Sequence, residues 1–217
     1  MNLRSILEWD AQLSNRMRVA EKPGALRAFA VFFAHSGDSW FWWGALIIAW
    51  FLSNSSWREW ESVEFLGIGL LAALVMSIKF IVRRRRPEGE WGGIYRNTDP
   101  HSFPSGHAAR AFLIATLAIG MVPAWLAILL WIWAPLVAVA RVAMGVHYVS
   151  DIVAGAVLGF VCGLIGLVIY EPIFTFITRL IGFSFWYKVA QDVILRYALF
   201  QYVPGCGRGR VPPMFAW

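Results

Sequence analysis

Five long apolar segments, separated by short polar ones, dominate the pattern of the chain. They cover residues 39–53, 62–82, 107–122, 124–143 and 150–170. A helix of about 20 apolar residues is long enough to cross a bilayer, and a spanning helix satisfies all of its own backbone hydrogen bonds. The pattern therefore predicts an all-α, polytopic membrane helix bundle with about five to six transmembrane helices.

The two ends of the chain have weaker apolar patterns. Residues 3–19 carry apolar side chains at helical spacing among arginines, which predicts an N-terminal amphipathic helix on the membrane, ended by Pro23-Gly24. Residues 25–35 form a second interfacial helix or the start of a span broken at Ser36-Gly37-Asp38. Near the other end, residues 173–187 form a partial span or an interfacial helix.

We interpret the chain as a single integral-membrane domain with three parts. Interfacial helices occupy residues 1–37, and the catalytic transmembrane core occupies residues 39–170. Residues 171–217 form a C-terminal interfacial or partly spanning segment followed by a tail, which is rich in Gly and Pro at residues 204–213.

The composition supports a membrane protein and argues against a soluble domain. Of the 217 residues, 59% are hydrophobic and only 15% are charged. Many of the 13 Trp residues flank apolar segments, as expected for rings at the headgroup level. The net charge of +6 indicates anionic lipid headgroups as partners, and we expect no nucleic acid. We expect no cleaved signal peptide and no disulfide between Cys162 and Cys206.

Ionisable residues cluster at the ends of several predicted spans. If the chain crosses the membrane at each span, the end of the second and fourth spans and the start of the third and fifth lie on one face. That face receives six side chains: Lys79, Arg86, His107, Arg141, His147 and Asp151. Because ionisable groups at membrane depth are energetically unfavourable and usually functional, this convergence predicts a site.

The chemistry of these residues fits a phosphoryl group. Three cations, Lys79, Arg86 and Arg141, can neutralise it. The turn Pro104-Ser105-Gly106 precedes a predicted helix, so that the Ser105 hydroxyl, the Gly106 backbone and the positive helix end can face the same anion. Asp151 can hold Nδ1–H of His147, four residues earlier, and leave Nε2 to attack, while His107 can protonate the leaving oxygen.

Other polar residues have simpler interpretations. We attribute Arg83, Arg84 and Arg85 mainly to membrane-surface charge, and His35 to a loop. Arg96, His101 and Arg110 could contribute to substrate selection or could support the site. A metal site built from His101, His107, His147 and Asp151 is an alternative that the many arginines disfavour, so we expect no metal and no cofactor.

Glycines recur at four-residue spacing on the fifth span, at Gly155, Gly159 and Gly163, with Gly166 near the same face. Small residues at this spacing allow two helices to approach closely. We interpret the stripe as packing inside the bundle, with a homodimer face as the alternative. The oligomeric state is otherwise open.

Three motifs in the chain resemble those of a known family. They read "KFIVRRRRP" at 79–87, "PSGH" at 104–107 and "ARVAMGVHYVSD" at 140–151. The chain is similar to the type 2 phosphatidic acid phosphatases, the membrane branch of the superfamily that also contains vanadium haloperoxidases. One position departs from the family pattern, because Ala140 stands where the family usually has Ser.

The resemblance implies metal-independent dephosphorylation of a membrane lipid through a phosphohistidine. By position, His147 is the nucleophile, Asp151 its orienting carboxylate and His107 the general acid. The same comparison assigns the phosphate to Lys79, Arg86, Arg141, Ser105 and the Gly106 backbone. Candidate substrates are phosphatidylglycerol phosphate, phosphatidic acid and undecaprenyl diphosphate. Alternatives are a phosphotransferase with a lipid or sugar acceptor, an anion-binding transporter and, least favoured, a haloperoxidase.

The distribution of charge predicts the orientation of the protein in the cell membrane. With five spans, the N-terminus and the active site share one face, which carries Arg4, Arg16, Arg18, Lys22 and residues 83–86. The opposite loop holds one arginine against Glu59, Glu61 and Glu64. The positive-inside rule therefore predicts that the active site faces the cytoplasm.

Overall fold

The computed structural model describes residues 2–21, 23–88, 91 and 99–181. These residues form seven α-helices and contain only one isolated β-bridge, which confirms the all-α prediction. In chain order the helices are α1 Leu3–Arg16, α2 Ala25–Ser36, α3 Ser39–Leu52, α4 Ser55–Val82, α5 Gly106–Met121, α6 Ala124–Ala143 and α7 Val149–Ile181.

Three segments of these helices are long and apolar enough to cross a bilayer. They are Trp57–Val82 in α4, Ala124–Ala143 in α6 and Val149–Pro172 in α7. Helices α2, α3 and α5 are apolar but shorter, with 12, 14 and 16 residues. Many large apolar side chains of the bundle remain exposed, for example Leu70, Ile81 and Val168, as expected for a surface that faces lipid.

Two helix boundaries differ from the predicted ones. Helix α1 ends at Arg16, well before Pro23, because the following segment packs on the end of α6: Val19 N donates to Ala143 O at 2.9 Å and Ala20 is buried. Helix α4 begins at Ser55 and not at residue 62, with Asn54 as its N-cap. The charged residues that were assigned above to the opposite loop therefore lie inside α4, and Glu64 is fully buried.

Helix α5 forms the centre of the bundle. It packs against α4 and α6, while α2 packs against α6 and α3 against α4. Ten consecutive or nearly consecutive α5 residues are buried, and five of them are alanines: Ala108, Ala109, Ala111, Ala115 and Ala118. These small side chains allow neighbouring helices to come close on every side of α5.

The glycine stripe of α7 faces α5. A Cβ at Gly159 would overlap the carbonyl oxygen of Ala109, and one at Gly163 would lie 2.6 Å from Thr116 Cβ. A Cβ at Gly155 would lie 2.4 Å from Ser105 O. The stripe therefore packs inside the bundle, as expected, and it sets the spacing between the two helices that carry His107 and Asp151.

The chain divides into two compact units, Met1–Tyr170 and Glu171–Trp217. Every described residue of the predicted site lies in the first unit. In the second unit the description ends with α7 at Ile181, so the end of the 173–187 prediction, the 204–213 tail and Cys206 lie outside the described residues.

Candidate active site

Seven of the predicted site residues line one cavity of about 170 Å³. Its polar end is lined by Lys79, Arg86, Gly106, His107, Arg141 and His147, together with Asp99 and Arg110. Its other wall is apolar and comes from α4, with Ile68, Leu71, Ala72, Val75 and Met76. The ends of four elements thus meet as the sequence predicted, and both charged and apolar side chains line the cavity.

His147 follows a tight turn between α6 and α7. Gly145 adopts a φ of 66°, a left-handed conformation that glycine tolerates best, and the turn buries His147 to 1% exposure. Its Nδ1 lies 3.4 Å from Asp151 Oδ2, and its Nε2 lies 3.2 Å from Arg86 Nη1. This geometry fits a neutral ring with its proton on Nδ1, so that Nε2 carries the lone pair.

Burial keeps the His147 imidazole neutral. Desolvation, helped by the positive charges of Arg86 and Arg141, outweighs the bond to Asp151 and lowers the pKa of His147 to about 3. An unfolded chain binds a proton at this residue below about pH 6.5, the usual pKa of histidine. Between that pH and about 3 the unfolded state binds more protons, so this group's contribution to stability falls as the pH is lowered through this window.

Arg84 contacts the carboxylate of Asp151 and is mostly buried, so the prediction that it is a membrane-surface charge was wrong. Its Nη1 lies 2.7 Å from Asp151 Oδ1, and its Nη2 lies 2.7 Å from Asp10 Oδ2 of α1. The guanidinium also covers the Tyr148 ring at 4.0 Å. Arg83 and Arg85 are exposed, as expected for surface charges. Nothing in the sequence distinguishes Arg84 from these neighbours, because its partners Asp10 and Asp151 lie 74 and 67 positions away along the chain.

Asp99 holds two of the three predicted phosphate cations. Its Oδ2 accepts from Arg86 Nη2 at 2.7 Å and pairs with Lys79 Nζ, while its backbone carbonyl accepts from Arg86 Nε at 2.7 Å. Burial raises the pKa of Asp99, but the charges of Lys79 and Arg86 outweigh it and lower the pKa overall. An ionised carboxylate therefore pairs with two of the predicted phosphate cations in the free site, and sequence reasoning missed it.

His107 is held by a second carboxylate that the sequence analysis also missed. Its Nε2 lies 2.6 Å from Asp38 Oδ1, and His35 Nδ1 lies 3.2 Å from Asp38 Oδ2. Partial burial raises the pKa of Asp38, but its bonds to His107 and His35 lower it to about 2. Asp38 is thus ionised at neutral pH. The only signal for it in the sequence was the polar break at residues 36–38 on the active face.

The loop that carries Asp38 is tied to the site by two arginines. Arg110 Nη1 donates to Gly37 O, and Arg141 Nη1 donates to Ala34 O at 3.4 Å. Both guanidinium groups are buried, with 8% and 1% exposure. Arg110 lines the cavity beside His107, while Arg96 lies outside the described residues. The α2–α3 connection is therefore held against the site by hydrogen bonds, which the apolar pattern of the sequence did not indicate.

The Pro-Ser-Gly turn begins α5 and is anchored to α7. Ser105 N donates to Asp151 O at 3.0 Å, and Ser105 Oγ caps α5 by accepting from Ala108 N at 3.5 Å. Ser105 is fully buried and is not one of the cavity-lining residues, whereas Gly106 lines the cavity. The structure therefore shows that Ser105 positions the start of α5. A contact between Ser105 and phosphate stays a prediction.

His101 lies beside the site and not in it. Its backbone pairs with Arg85 in an isolated bridge, and its ring packs edge-on against Phe80 at 6.0 Å. It does not line the cavity. Among the described residues, no group of three or more His, Cys, Asp or Glu side chains has an arrangement that could hold a metal ion.

Comparison with known proteins agrees with the fold and the motifs. Residues 61–174, about half of the chain, match the model of the PAP2 superfamily, and the chain belongs to this superfamily. The matched region contains the three motifs and most of the residues that line the cavity. The membership confirms the family resemblance, and the helical membrane bundle defines the class of protein.

Several curated relatives are named as phosphatases of membrane lipids. The chain is 31% identical over 124 residues to the lipid A 1-phosphatase of Porphyromonas gingivalis, covering 56% of this chain and 26% of that protein. It is 35% identical over 109 residues to the decaprenylphosphoryl-5-phosphoribose phosphatase of Mycobacterium tuberculosis, covering 50% and 59%. The namesake from Mycolicibacterium smegmatis is 35% identical over 146 residues, covering 63% and 74%. The chain thus spans a quarter to three quarters of these relatives.

Two solved structures share the fold. The first transmembrane PAP2 type phosphatidylglycerolphosphate phosphatase from Bacillus subtilis has a TM-score of 0.63 at 24% identity, covering 78% of this chain and 88% of that one. Aquifex aeolicus LpxE has a TM-score of 0.57 at 28% identity, covering 72% and 93%. Both similarities cover most of each chain, which supports a multi-pass membrane protein.

Proposed function

We propose that this protein is a metal-independent membrane lipid phosphatase that hydrolyses a lipid phosphate monoester or a polyprenyl diphosphate through a phosphohistidine on His147. One observation carries the proposal: a single cavity joins a buried neutral histidine and three cations to an apolar wall of α4. The cations suit a phosphoryl group, and the wall suits the hydrocarbon of the lipid that bears it.

In the first step, His147 Nε2 attacks phosphorus and the bond to the leaving oxygen breaks. Asp151 accepts the Nδ1–H bond and stabilises the positive charge that develops on the ring. In the free site Arg86 donates to Nε2, and both Arg86 and Lys79 pair with Asp99. These two cations would exchange those contacts for the phosphoryl oxygens, joined by Arg141. His107 gives its proton to the leaving oxygen.

In the second step, water attacks the phosphohistidine. His107 accepts a proton from the water, the phosphorus–nitrogen bond breaks, and inorganic phosphate leaves with Nε2 restored. Asp38 engages Nε2 of His107 at 2.6 Å. The other ring nitrogen, Nδ1, is therefore the one left to exchange protons in the cavity, and ionised Asp38 stabilises the protonated ring that donates to the leaving group.

A second cavity, of about 460 Å³, also has His107 in its lining. Asp38, Ser39, Trp40, Trp43, His107 and Arg110 line it. His107, Arg110 and Ser39 belong to both cavities. His107 is therefore accessible from both cavities, as a general acid that must reach the leaving oxygen requires.

Phosphate release in excess EDTA tests the reaction class. Purified protein in detergent is expected to release phosphate from at least one of phosphatidylglycerol phosphate, phosphatidic acid and undecaprenyl diphosphate. EDTA should leave the rate unchanged within about twofold, since every proposed role belongs to a group of the protein itself. A zinc-dependent phosphatase, which EDTA must inhibit, controls for chelation.

Each other outcome of this assay has a definite meaning. Loss of release in EDTA would contradict the metal-free mechanism. Absence of release with all three lipids, in folded protein, would contradict hydrolysis of these lipids and favour the phosphotransferase, which needs an added lipid or sugar acceptor. The ranking among the lipids names the preferred headgroup.

We also propose that the protein lies in the plasma membrane with its active face toward the cytoplasm, on the strength of the basic residues at this face. A cysteine in place of exposed Arg83, in a chain lacking Cys162 and Cys206, should resist an impermeant thiol reagent in intact cells and react after lysis. A cysteine at exposed Trp125, at the start of α6, is the control for the other face. Labelling of residue 83 in intact cells would overturn the orientation.

A further inference from the structure

A buried network connects the N-terminal helix α1 to the proposed nucleophile. We propose that Asp10 is a positioning residue that acts through Arg84 and Asp151 to orient His147 and to stabilise the charge that forms on it. The inference rests on the proposed function of His147. It goes beyond the three motifs, because Asp10 lies far outside them.

Asp10 is bound on both carboxylate oxygens and is only 4% exposed. Its Oδ1 accepts from Ser150 N at 3.0 Å. Its Oδ2 accepts from Arg84 Nη2 at 2.7 Å and from the Ser150 hydroxyl. One turn along α1, Ser14 Oγ accepts from Val149 N at 3.0 Å. The side chains of α1 therefore satisfy the first backbone N–H groups of α7, the helix that carries Asp151.

Arg84 bridges the two carboxylates. Its Nη1 donates to Asp151 Oδ1 and to Ser150 Oγ at 2.7 and 2.6 Å, while its Nη2 donates to Asp10. A guanidinium that donates in two directions from a planar fork has little freedom to rotate. Asp10 therefore fixes Arg84, and Arg84 fixes one oxygen of Asp151.

The other oxygen of Asp151 serves the nucleophile. Asp151 Oδ2 accepts from Tyr148 N at 2.9 Å and lies 3.4 Å from His147 Nδ1. With Oδ1 held by Arg84 and Oδ2 by Tyr148 N, the plane of the carboxylate is set before substrate binds. This arrangement keeps the His147 proton on Nδ1 and the lone pair on Nε2, as outer partners of metal-bound histidines also do.

Charge gives Asp10 a second role. The groups that face His147 are Arg86 and Arg141 on one side and Asp151 on the other, with Asp99 nearby. Arg84 alone would cancel the charge of Asp151. With Asp10 included, two carboxylates face one guanidinium, and a negative charge remains on the Asp151 side. That charge stabilises the imidazole as it becomes cationic on bonding to phosphorus.

Asp10→Asn tests the proposal, with Glu8→Gln as the matched control on the same helix. Glu8 is exposed, so its replacement makes the same change in charge outside the network. Asp10→Asn is expected to lower kcat about tenfold. KM should stay within about twofold, since Lys79, Arg86 and Arg141 still hold the phosphate. Glu8→Gln should behave as wild type, and Asp10→Glu should recover part of kcat.

Two variants separate positioning from simple support of the fold. Ser14→Ala removes one cap of α7 without a change in charge. It should lower the melting temperature and leave kcat close to that of wild type. Arg84→Gln combined with Asp10→Asn should lower kcat no further than the more damaging single variant, because both act through Asp151. Additive effects, a KM that rises with the fall in kcat, or an Asp10→Asn enzyme equal to Glu8→Gln would overturn the proposal.

A readout without substrate keeps this inference separate from the proposed function. Diethyl pyrocarbonate acylates a neutral imidazole nitrogen, and mass spectrometry can follow the reaction at residue 147. Asp10→Asn is expected to slow it at His147 by about threefold or more relative to Glu8→Gln, with His101 unchanged as an internal reference. If wild type releases no phosphate, the proposed function fails while this comparison still decides the network. Equal rates at residue 147 would overturn the role of Asp10.

Discussion

Replacement of His147 by alanine is expected to lower kcat for phosphate release by about four orders of magnitude or more. His147 Nε2 lies 3.2 Å from Arg86 Nη1, and its Nδ1 lies 3.4 Å from Asp151 Oδ2, so the proposed attacking nitrogen is next to a cation that would hold the phosphoryl group. Water attacking the lipid phosphate directly would have to replace a whole covalent pathway, and removal of a nucleophile typically reduces kcat to this extent.

His101→Ala is the matched control for this substitution. His101 is another histidine next to the active face, but it packs on Phe80 and does not line the cavity. Its alanine variant should keep kcat within about threefold of wild type, as expected for a residue without contact to the reacting atoms. Activity of His147→Ala above about one per cent of wild type would contradict the assigned nucleophile.

Gly159→Ala is expected to destabilise the bundle by about 3 kcal/mol, among the largest effects of a single methyl group in this chain. The new Cβ would overlap Ala109 O, which is backbone and cannot move aside as a side chain can. Helices α5 and α7 would have to separate. The melting temperature of the protein in detergent measures the effect.

Gly44→Ala is the control, because a Cβ at Gly44 in α3 would meet nothing within 4 Å. An alanine there should leave the melting temperature unchanged or raise it slightly, since alanine favours a helix by about 1 kcal/mol over glycine. If Gly159→Ala melted like Gly44→Ala, the close α5–α7 contact would be wrong.

Gly159→Ala is also expected to reduce the activity of the protein that remains folded. Helix α5 carries His107, α7 carries Asp151, and Ser105 N bonds to Asp151 O at 3.0 Å between them. A displacement of about 1 Å between reacting groups can lower a rate about a hundredfold. Such a loss would show that the glycine stripe affects the activity through the spacing of the two helices.

Much of the polar end of the cavity could be predicted from the sequence. Apolar segments long enough to span a bilayer alternate in direction, so residues at alternate ends must share a face. Lys79, His107, Arg141 and His147 follow from this reasoning with no knowledge of packing. The all-α bundle follows for the same reason, because a bilayer permits few other structures.

Three other carboxylates around the site, Asp10, Asp38 and Asp99, could not be predicted in this way. Asp38 meets His107 across 69 positions of sequence, and Asp10 meets Arg84 across 74. Asp99 meets Lys79 across 20, from the far end of a loop. These pairs depend on where α1 and the α2–α3 connection dock, which depends on side-chain packing. Apolar periodicity locates helices but contains no information about such docking.

The most direct test of the account is to trap phosphate on His147. In His107→Ala, a phosphate ester with a good leaving group, such as p-nitrophenyl phosphate, should still phosphorylate His147, because such a leaving group needs no acid. Hydrolysis of the intermediate should then be slow, since the base that activates water is missing. The account predicts phosphate on residue 147 that is labile in acid and stable in alkali, and absent from His107→Ala/His147→Ala. Phosphate on any other residue, or none during measurable turnover, would contradict it.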